Sequence, residues 1–245
     1  MYIEIDGINV NYKTVGEGEN LIILHGWGSN INTFNKVIDE VSKTRRVYAL
    51  DLPGFGFSEE MKEAFSVSDY ANFVIKFMEK LNIKNATVMG HSLGGRIAIY
   101  LTKLTQIKKL ILVNSAGIKL NSTKKATFTQ TAFKVSKAIL PEKVVNKLKN
   151  KIGSEDYKNA SPMMKKTLVK VVNEDLKHII DKIDVNTLIL WGDKDLATPV
   201  ADAKYMNENI KKSKLIVYEG AGHYSYIDKA DEFIKDVISF LGGNN

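Results

Sequence analysis

The sequence predicts an α/β fold, a mostly parallel sheet with helices on both faces, and three observations carry that prediction. Short runs rich in Val, Ile and Leu recur along the chain, amphipathic stretches lie between most of them, and a lysine-rich segment interrupts the alternation once. The length and β-branching of the apolar runs mark strands buried on both faces. Right-handed crossovers through the intervening helices then make most of the sheet parallel.

In chain order, Tyr2 to Ile5 and Val10 to Val15 flank the turn-prone Asp6-Gly7-Ile8-Asn9 and predict an antiparallel hairpin at one sheet edge. Six further strands are expected at Leu21 to Leu24, Val47 to Leu50, Ala86 to Met89, Leu110 to Val113, Thr187 to Trp191 and Leu215 to Tyr218. Between the fourth and fifth strands, Tyr70, Phe73, Val74, Phe77, Met78 and Leu81 recur at helical spacing, which predicts a helix from Ser68 to Leu81 with Ser68 as its N-cap. Ile97 to Leu104 and Phe233 to Leu241 read the same way. From Lys119 to Lys182 no strand is expected and helices are, around Phe128 to Ile139, Glu142 to Lys151 and Pro162 to Ile179. This span reads as a helical cap inserted after the sixth strand, dividing the chain into a core of residues 1–118 and 183–245 and a cap of residues 119–182. The tail Gly242-Gly243-Asn244-Asn245 is expected to fray.

Composition narrows the function classes. Across 245 residues, hydrophobic residues make up 44% and charged residues 26%, with 4 prolines, as in ordinary globular proteins. No run approaches the roughly 20 apolar residues of a membrane span, so no integral membrane role is expected. The start Met1-Tyr2-Ile3-Glu4-Ile5-Asp6 lacks a secretion-signal layout, and a cytoplasmic location is expected. Cysteine is absent, which removes disulfides, thiolate metal sites and a cysteine nucleophile.

The net charge of +7 is concentrated. Residues 119–182 hold 15 lysines against 6 acidic residues, while the rest of the chain has 20 basic and 22 acidic. A nucleic-acid or anionic-membrane module is the reading this invites from another function class. However, lysine outnumbers arginine 32 to 3 over the whole chain and no basic motif interleaved with aromatics occurs, so no nucleic-acid partner is expected.

The strongest chemical signal is Gly90-His91-Ser92-Leu93-Gly94, directly after a predicted strand and before a predicted helix. A nucleophile on so sharp a turn needs small neighbours, which the glycines supply. A serine hydroxyl needs a base, and the base needs an orienting group. Of four histidines, His223 follows the last strand on the glycine-rich loop Glu219-Gly220-Ala221-Gly222, where an imidazole can reach the carboxyl edge of the sheet. His25 ends a strand, His178 lies in the cap, and His91 precedes the serine and should point away from it. Asp193 and Asp195, in Gly192-Asp193-Lys194-Asp195, both follow the seventh strand; residue chemistry alone leaves them open, one acid and one turn-former.

With the order Ser, Asp, His, the chain resembles the α/β-hydrolase superfamily along nearly its full length. The resemblance rests on His25-Gly26-Trp27-Gly28, Asp51-Leu52-Pro53-Gly54-Phe55-Gly56-Phe57-Ser58, Gly90 to Gly95, Gly192 to Asp195 and Gly222-His223. It implies Ser92, Asp195 and His223 as a catalytic triad, selecting Asp195 over Asp193. It also implies that the Trp27 and Leu93 N–H groups form an oxyanion hole. Trp27 is further expected to line an acyl pocket, and His91, next to the nucleophile, is taken with it as a substrate contact. Serine at 92 disfavours the relatives that use an aspartate nucleophile, and the complete triad argues against a ligand sensor that has lost turnover.

The expectation is therefore a carboxylesterase-type serine hydrolase acting on a small-molecule ester, with no metal and no cofactor. Thioesterases and carbon-carbon bond hydrolases share these motifs. His-Gly-Trp-Gly with Asp-Leu-Pro-Gly-Phe-Gly resembles the pimeloyl-carrier-protein methyl ester esterases, which makes an acidic acyl carrier protein the alternative partner. The oligomeric state is not fixed by the sequence.

Overall fold

The computed structural model describes residues 1–118 and 160–242. A two-residue turn joins β1 (Tyr2–Ile5) to β2 (Ile8–Val15), pairing Ile5 with Ile8. Asp6 and Gly7 both have positive φ, at 51° and 72°, the requirement of the type I′ hairpin turn whose twist matches its strands. The turn is thus shorter than the four-residue stretch the sequence suggested. β3 (Glu19–Leu24), β4 (Arg45–Leu50), β5 (Thr87–His91), β6 (Leu110–Val113), β7 (Thr187–Gly192) and β8 (Ser213–Tyr218) complete one eight-stranded sheet in the order β1-β2-β4-β3-β5-β6-β7-β8. From β4 to β8 every pairing is parallel, whereas β2 runs antiparallel to both its neighbours. Every residue of β5, β6 and β7 is buried, as strands covered on both faces must be.

The helices are α1 (Asn35–Val41), α2 (Val67–Lys80), α3 (Leu93–Leu104), α4 (Pro162–Asn173), α5 (Lys177–Ile180), α6 (Val200–Asn209), α7 (Ser225–Asp228) and α8 (Ala230–Gly242). Two buried apolar clusters flank the sheet: Val88 and Leu112 look toward α2, α3 and α4, while Met89 and Ile111 look toward α1 and α8. Full burial of side chains such as Phe77 and Phe233 contributes about 1.5–3 kcal/mol each. No helix among the described residues is long and apolar enough to cross a membrane.

The structure corrects two local expectations. Ser66, not Ser68, caps α2: its Oγ accepts from Asp69 N–H while the Asp69 carboxylate accepts from Ser66 N–H, a reciprocal capping box that stabilises by about 1 kcal/mol. The helix expected from Pro162 to Ile179 breaks after Asn173, because tertiary bonds claim the backbone there. Glu174 O accepts from Arg96 Nη1 at 2.7 Å, and Leu176 N–H donates to Gly117 O at 2.9 Å. The helices expected around Phe128 to Ile139 and Glu142 to Lys151, and residues 243–245 of the tail, lie outside the described residues, whereas Gly242, expected to fray, ends α8.

Of residues 119–182, separated from the end of β6 by five residues, the structure describes 160–182, with α4 and α5. Met164 packs on Gly54, Phe65 N–H donates to Thr167 Oγ1 at 3.2 Å, and Ser161 Oγ donates to Glu60 at 2.7 Å. α4 thereby lies over the loop that follows β4.

Candidate active site

Strand order reverses at β3, whose chain continues to β4 on one side while β5 lies on the other, and such switch points open a crevice beyond the strands' carboxyl ends. Trp27 follows β3 and Ser92 follows β5, so both border this crevice; Asp195 follows β7 and His223 follows β8, along the same edge.

Ser92 sits at φ 51°, ψ −108°, a conformation that costs a non-glycine residue about 1–3 kcal/mol. Its surroundings hold it there: Ser92 N–H donates to Val113 O at 3.1 Å, and Ser92 O accepts from Arg96 and Ala116. A Cβ at Gly90 would run into the Gly94 backbone, and one at Gly94 into Leu24 O, so only glycine lets the turn close this tightly. The Ser92 hydroxyl makes no hydrogen bond among the described residues and does not cap α3, which leaves the first N–H of that helix, Leu93, without an acceptor there. Gly94 N–H donates to His25 O at 3.1 Å, pinning the start of α3 to the loop that carries Trp27, whose N–H likewise has no acceptor among the described residues.

His223 Nδ1 lies 2.8 Å from Asp195 Oδ2. A carboxylate can only accept, so Nδ1 carries the proton and Nε2 is the free basic nitrogen. Asp195 Oδ2 also accepts from Asn114 Nδ2 at 2.7 Å and Thr198 Oγ1 at 2.6 Å, while Oδ1 accepts from Ala197 N–H and Thr198 N–H at 2.8 and 2.9 Å. Burial pushes this carboxyl up, but the hydrogen bonds from His223, Thr198 and Asn114 outweigh it and hold the pKa at about 2. The two aspartates therefore do not divide the work as expected: Asp195 both forms the turn and meets the histidine. Asp193 instead accepts from Gly220 N–H at 2.7 Å, tying down the base of the His223 loop, and pairs with Lys194 at the surface.

Asn114 and Thr198 were not singled out in the sequence. Asn114 is fully buried at φ 41°, a left-handed conformation asparagine tolerates, and joins Asp195 Oδ2, Gly222 O and Ser225 Oγ. Its signal was a polar residue directly at the carboxyl end of a buried strand.

The three remaining histidines all have backbone partners, His178 at the surface through Nδ1, 3.1 Å from Asp175 O. His25 Nδ1 donates to Gly26 O at 2.7 Å and its Nε2 accepts from Leu52 N–H at 2.9 Å, which joins the loops after β3 and β4 through one neutral imidazole. Burial holds its pKa down. Asp51 reinforces the joint by accepting from Ile31 N–H, Asn11 Nδ2 and Phe57 N–H. His91 is 1% exposed and so has no surface to offer a substrate, which corrects its assignment as a substrate contact. Strand alternation is the reason: His91 shares the Met89 face of β5, where its ring lies among Phe34, Tyr226 and His223. Trp27 is half-buried, edge-on to Phe55 with ring centroids 4.9 Å apart.

A family model described as alpha/beta hydrolase fold matches residues 19–142 and 116–230. The chain is 27% identical to a pimeloyl-[acyl-carrier protein] methyl ester esterase of Aliivibrio fischeri, over 94% of this chain and 96% of that one. It is also 27% identical to a 2-hydroxy-6-oxononadienedioate/2-hydroxy-6-oxononatrienedioate hydrolase of Pseudomonas putida, over 96% and 92%. Among solved structures, an esterase from Exiguobacterium antarcticum superposes with a TM-score of 0.79 at 25% identity, covering 99% of both chains. The sheet order, the turn at Ser92 and a family match spanning most of its length agree: this chain belongs to the alpha/beta hydrolase fold family.

Proposed function

We propose that the protein is a serine hydrolase that cleaves carboxylic esters through an acyl-enzyme on Ser92. The observation that carries this reading is the 2.8 Å contact of His223 Nδ1 with Asp195 Oδ2, at the same sheet edge as the strained turn that holds Ser92. Ser92 Oγ attacks the acyl carbonyl, and His223 Nε2 takes its proton and passes it to the departing alcohol. Water then gives a proton to His223 Nε2 as its oxygen attacks the acyl carbon, and His223 returns that proton to Ser92 Oγ as the acyl–oxygen bond breaks and the acid leaves. Asp195 keeps the imidazole in the Nδ1–H tautomer throughout. The N–H groups of Trp27 and Leu93 receive the oxyanion, a contribution of about 3–4 kcal/mol per donor in comparable sites. The indole of Trp27 lines the acyl side. The esterase relatives support ester chemistry, and the equally similar Pseudomonas putida hydrolase keeps carbon-carbon bond cleavage on the same triad as the alternative.

Initial rates across p-nitrophenyl esters of increasing acyl length, measured beside the matching acyl thioesters, test this. Turnover of the esters with an optimum in chain length is expected. Preference for the thioesters would reassign the leaving group, and no turnover of either series by folded protein would overturn the proposal.

A second reading is favoured by the 15 lysines against 6 acidic residues in 119–182 and by the name of the Aliivibrio relative: an ester carried on an acidic acyl carrier protein. A cap of net charge +9 concentrates anionic partners, and screening over about 8 Å at physiological salt weakens that attraction. kcat/KM for a carrier-protein ester is then expected to fall steeply with added salt while that for a neutral short-chain ester stays nearly flat. Equal, shallow dependence for both would leave the small-ester reading alone.

A further inference from the structure

His91 lies one residue before the proposed nucleophile, and its burial raises the question of what an imidazole does there. Its Nε2 is 2.9 Å from the backbone carbonyl oxygen of His223. A carbonyl only accepts, so Nε2 carries the proton and donates, and in a neutral ring Nδ1 must then be bare. Nδ1 is indeed buried with no hydrogen-bond partner. Burial, assisted by the neighbouring His223 ring, lowers the His91 pKa to about 3, so the ring holds one proton.

The bare edge faces the other loop of the site. A Cβ placed on Gly26 would lie 2.7 Å from His91 Nδ1, 3.0 Å from its Cε1 and 3.2 Å from Ser92 Cβ, which puts the ring against the backbone just before Trp27. Phe34, just before α1, and Tyr226 of α7, themselves stacked at 4.1 Å, close the ring in from the helix side. One imidazole therefore stands between the loop of the proposed base and the loop of a proposed oxyanion donor. The remainder of the His223 loop is tied at other points, through Gly220 N–H to Asp193, Gly222 N–H to Asp228 and Gly222 O to Asn114. Among the described residues, the His91 bond is the one that reaches the main chain of His223 itself.

We propose that His91 is a positioning residue: by holding the His223 carbonyl, it sets where the His223 imidazole stands relative to Ser92. This rests on the triad reading given above. An aliphatic side chain would fill the same space without the donor, whereas glutamine carries an amide N–H at the reach of Nε2. His91→Leu is expected to lower kcat for a p-nitrophenyl ester about 10- to 100-fold, as a displacement near 1 Å at the reacting groups does, while KM stays within about twofold. His91→Gln is expected to restore most of kcat. A kcat in His91→Leu like that of the wild type, a loss confined to KM, or a Gln variant no better than Leu would each overturn the proposal.

A measurement on unaltered protein covers the case in which the leucine variant does not fold. Nitrogen-15 spectra of the His91 ring should show the Nε2–H tautomer with Nδ1 unprotonated between about pH 5 and pH 8, and the opposite tautomer or a doubly protonated ring would overturn the assignment. Ser92→Ala separates this idea from the reading beneath it. Full activity in Ser92→Ala would remove the triad itself, while loss there beside normal kinetics in His91→Leu would remove only the positioning role.

Discussion

Ser92→Ala is expected to reduce ester turnover by about 10⁴- to 10⁶-fold and to abolish covalent labelling by a fluorophosphonate probe. The size of the loss follows from what remains: backbone donors and binding alone, without a nucleophile to form the acyl intermediate. Stability should hardly change. The Ser92 hydroxyl makes no hydrogen bond among the described residues, so its removal orphans no partner there, and alanine keeps the same positive-φ strain as serine. Intact-mass and peptide spectra after labelling, together with thermal unfolding of both proteins, check this. Equal labelling of the variant would place the nucleophile elsewhere.

How far the sequence alone reached depends on how locally each feature is determined. Strands β5, β6 and β7 were legible because burial on both faces leaves unbroken apolar runs, and the Ser92 turn because the glycines its close contacts demand, Gly90 against the Gly94 backbone and Gly94 against Leu24 O, stand together in one five-residue motif. α1 and α6 were missed. α1 is 7 residues long, and α6 buries only Asp202, Ala203 and Met206, so neither shows a long apolar stripe. The choice of Ser66 over Ser68 depends on which serine lies three residues before an acceptor-bearing side chain, and Asp69 decides it. Nothing local could show the role of Asn114, since its partners come from the loop after β7 and from the His223 loop, 81 and 108 residues away. His91 could have been placed correctly: the alternation that buries Met89 on one face buries His91 on the same one.

Asp195→Asn is expected to lower kcat about 10⁴-fold, and the reason lies in which half of the amide the site can accept. Oδ1 of Asp195 accepts from two backbone N–H groups, those of Ala197 and Thr198, which cannot turn into acceptors. The amide oxygen must therefore stay on that side, and the new NH₂ group takes the place of Oδ2. There it meets Asn114 Nδ2 and His223 Nδ1, both donors in the native site. His223 can avoid the clash only by moving its proton to Nε2, which removes the base that Ser92 requires. Asp193→Asn keeps an oxygen for Gly220 N–H and loses a surface ion pair with Lys194, which predicts a change in kcat below about threefold. Acid sensitivity offers a second readout. Because the folded pKa of Asp195 is about 2, below its ordinary 3.8, the ionised carboxylate contributes stability above about pH 4 that is lost as the pH falls toward 2. Asp195→Asn should flatten that part of the stability profile and Asp193→Asn should leave more of it, as measured by thermal midpoints at stepped pH. If the kinetic losses of the two variants are reversed, Asp193 is the residue that orients the histidine and the contact at Oδ2 of Asp195 is structural.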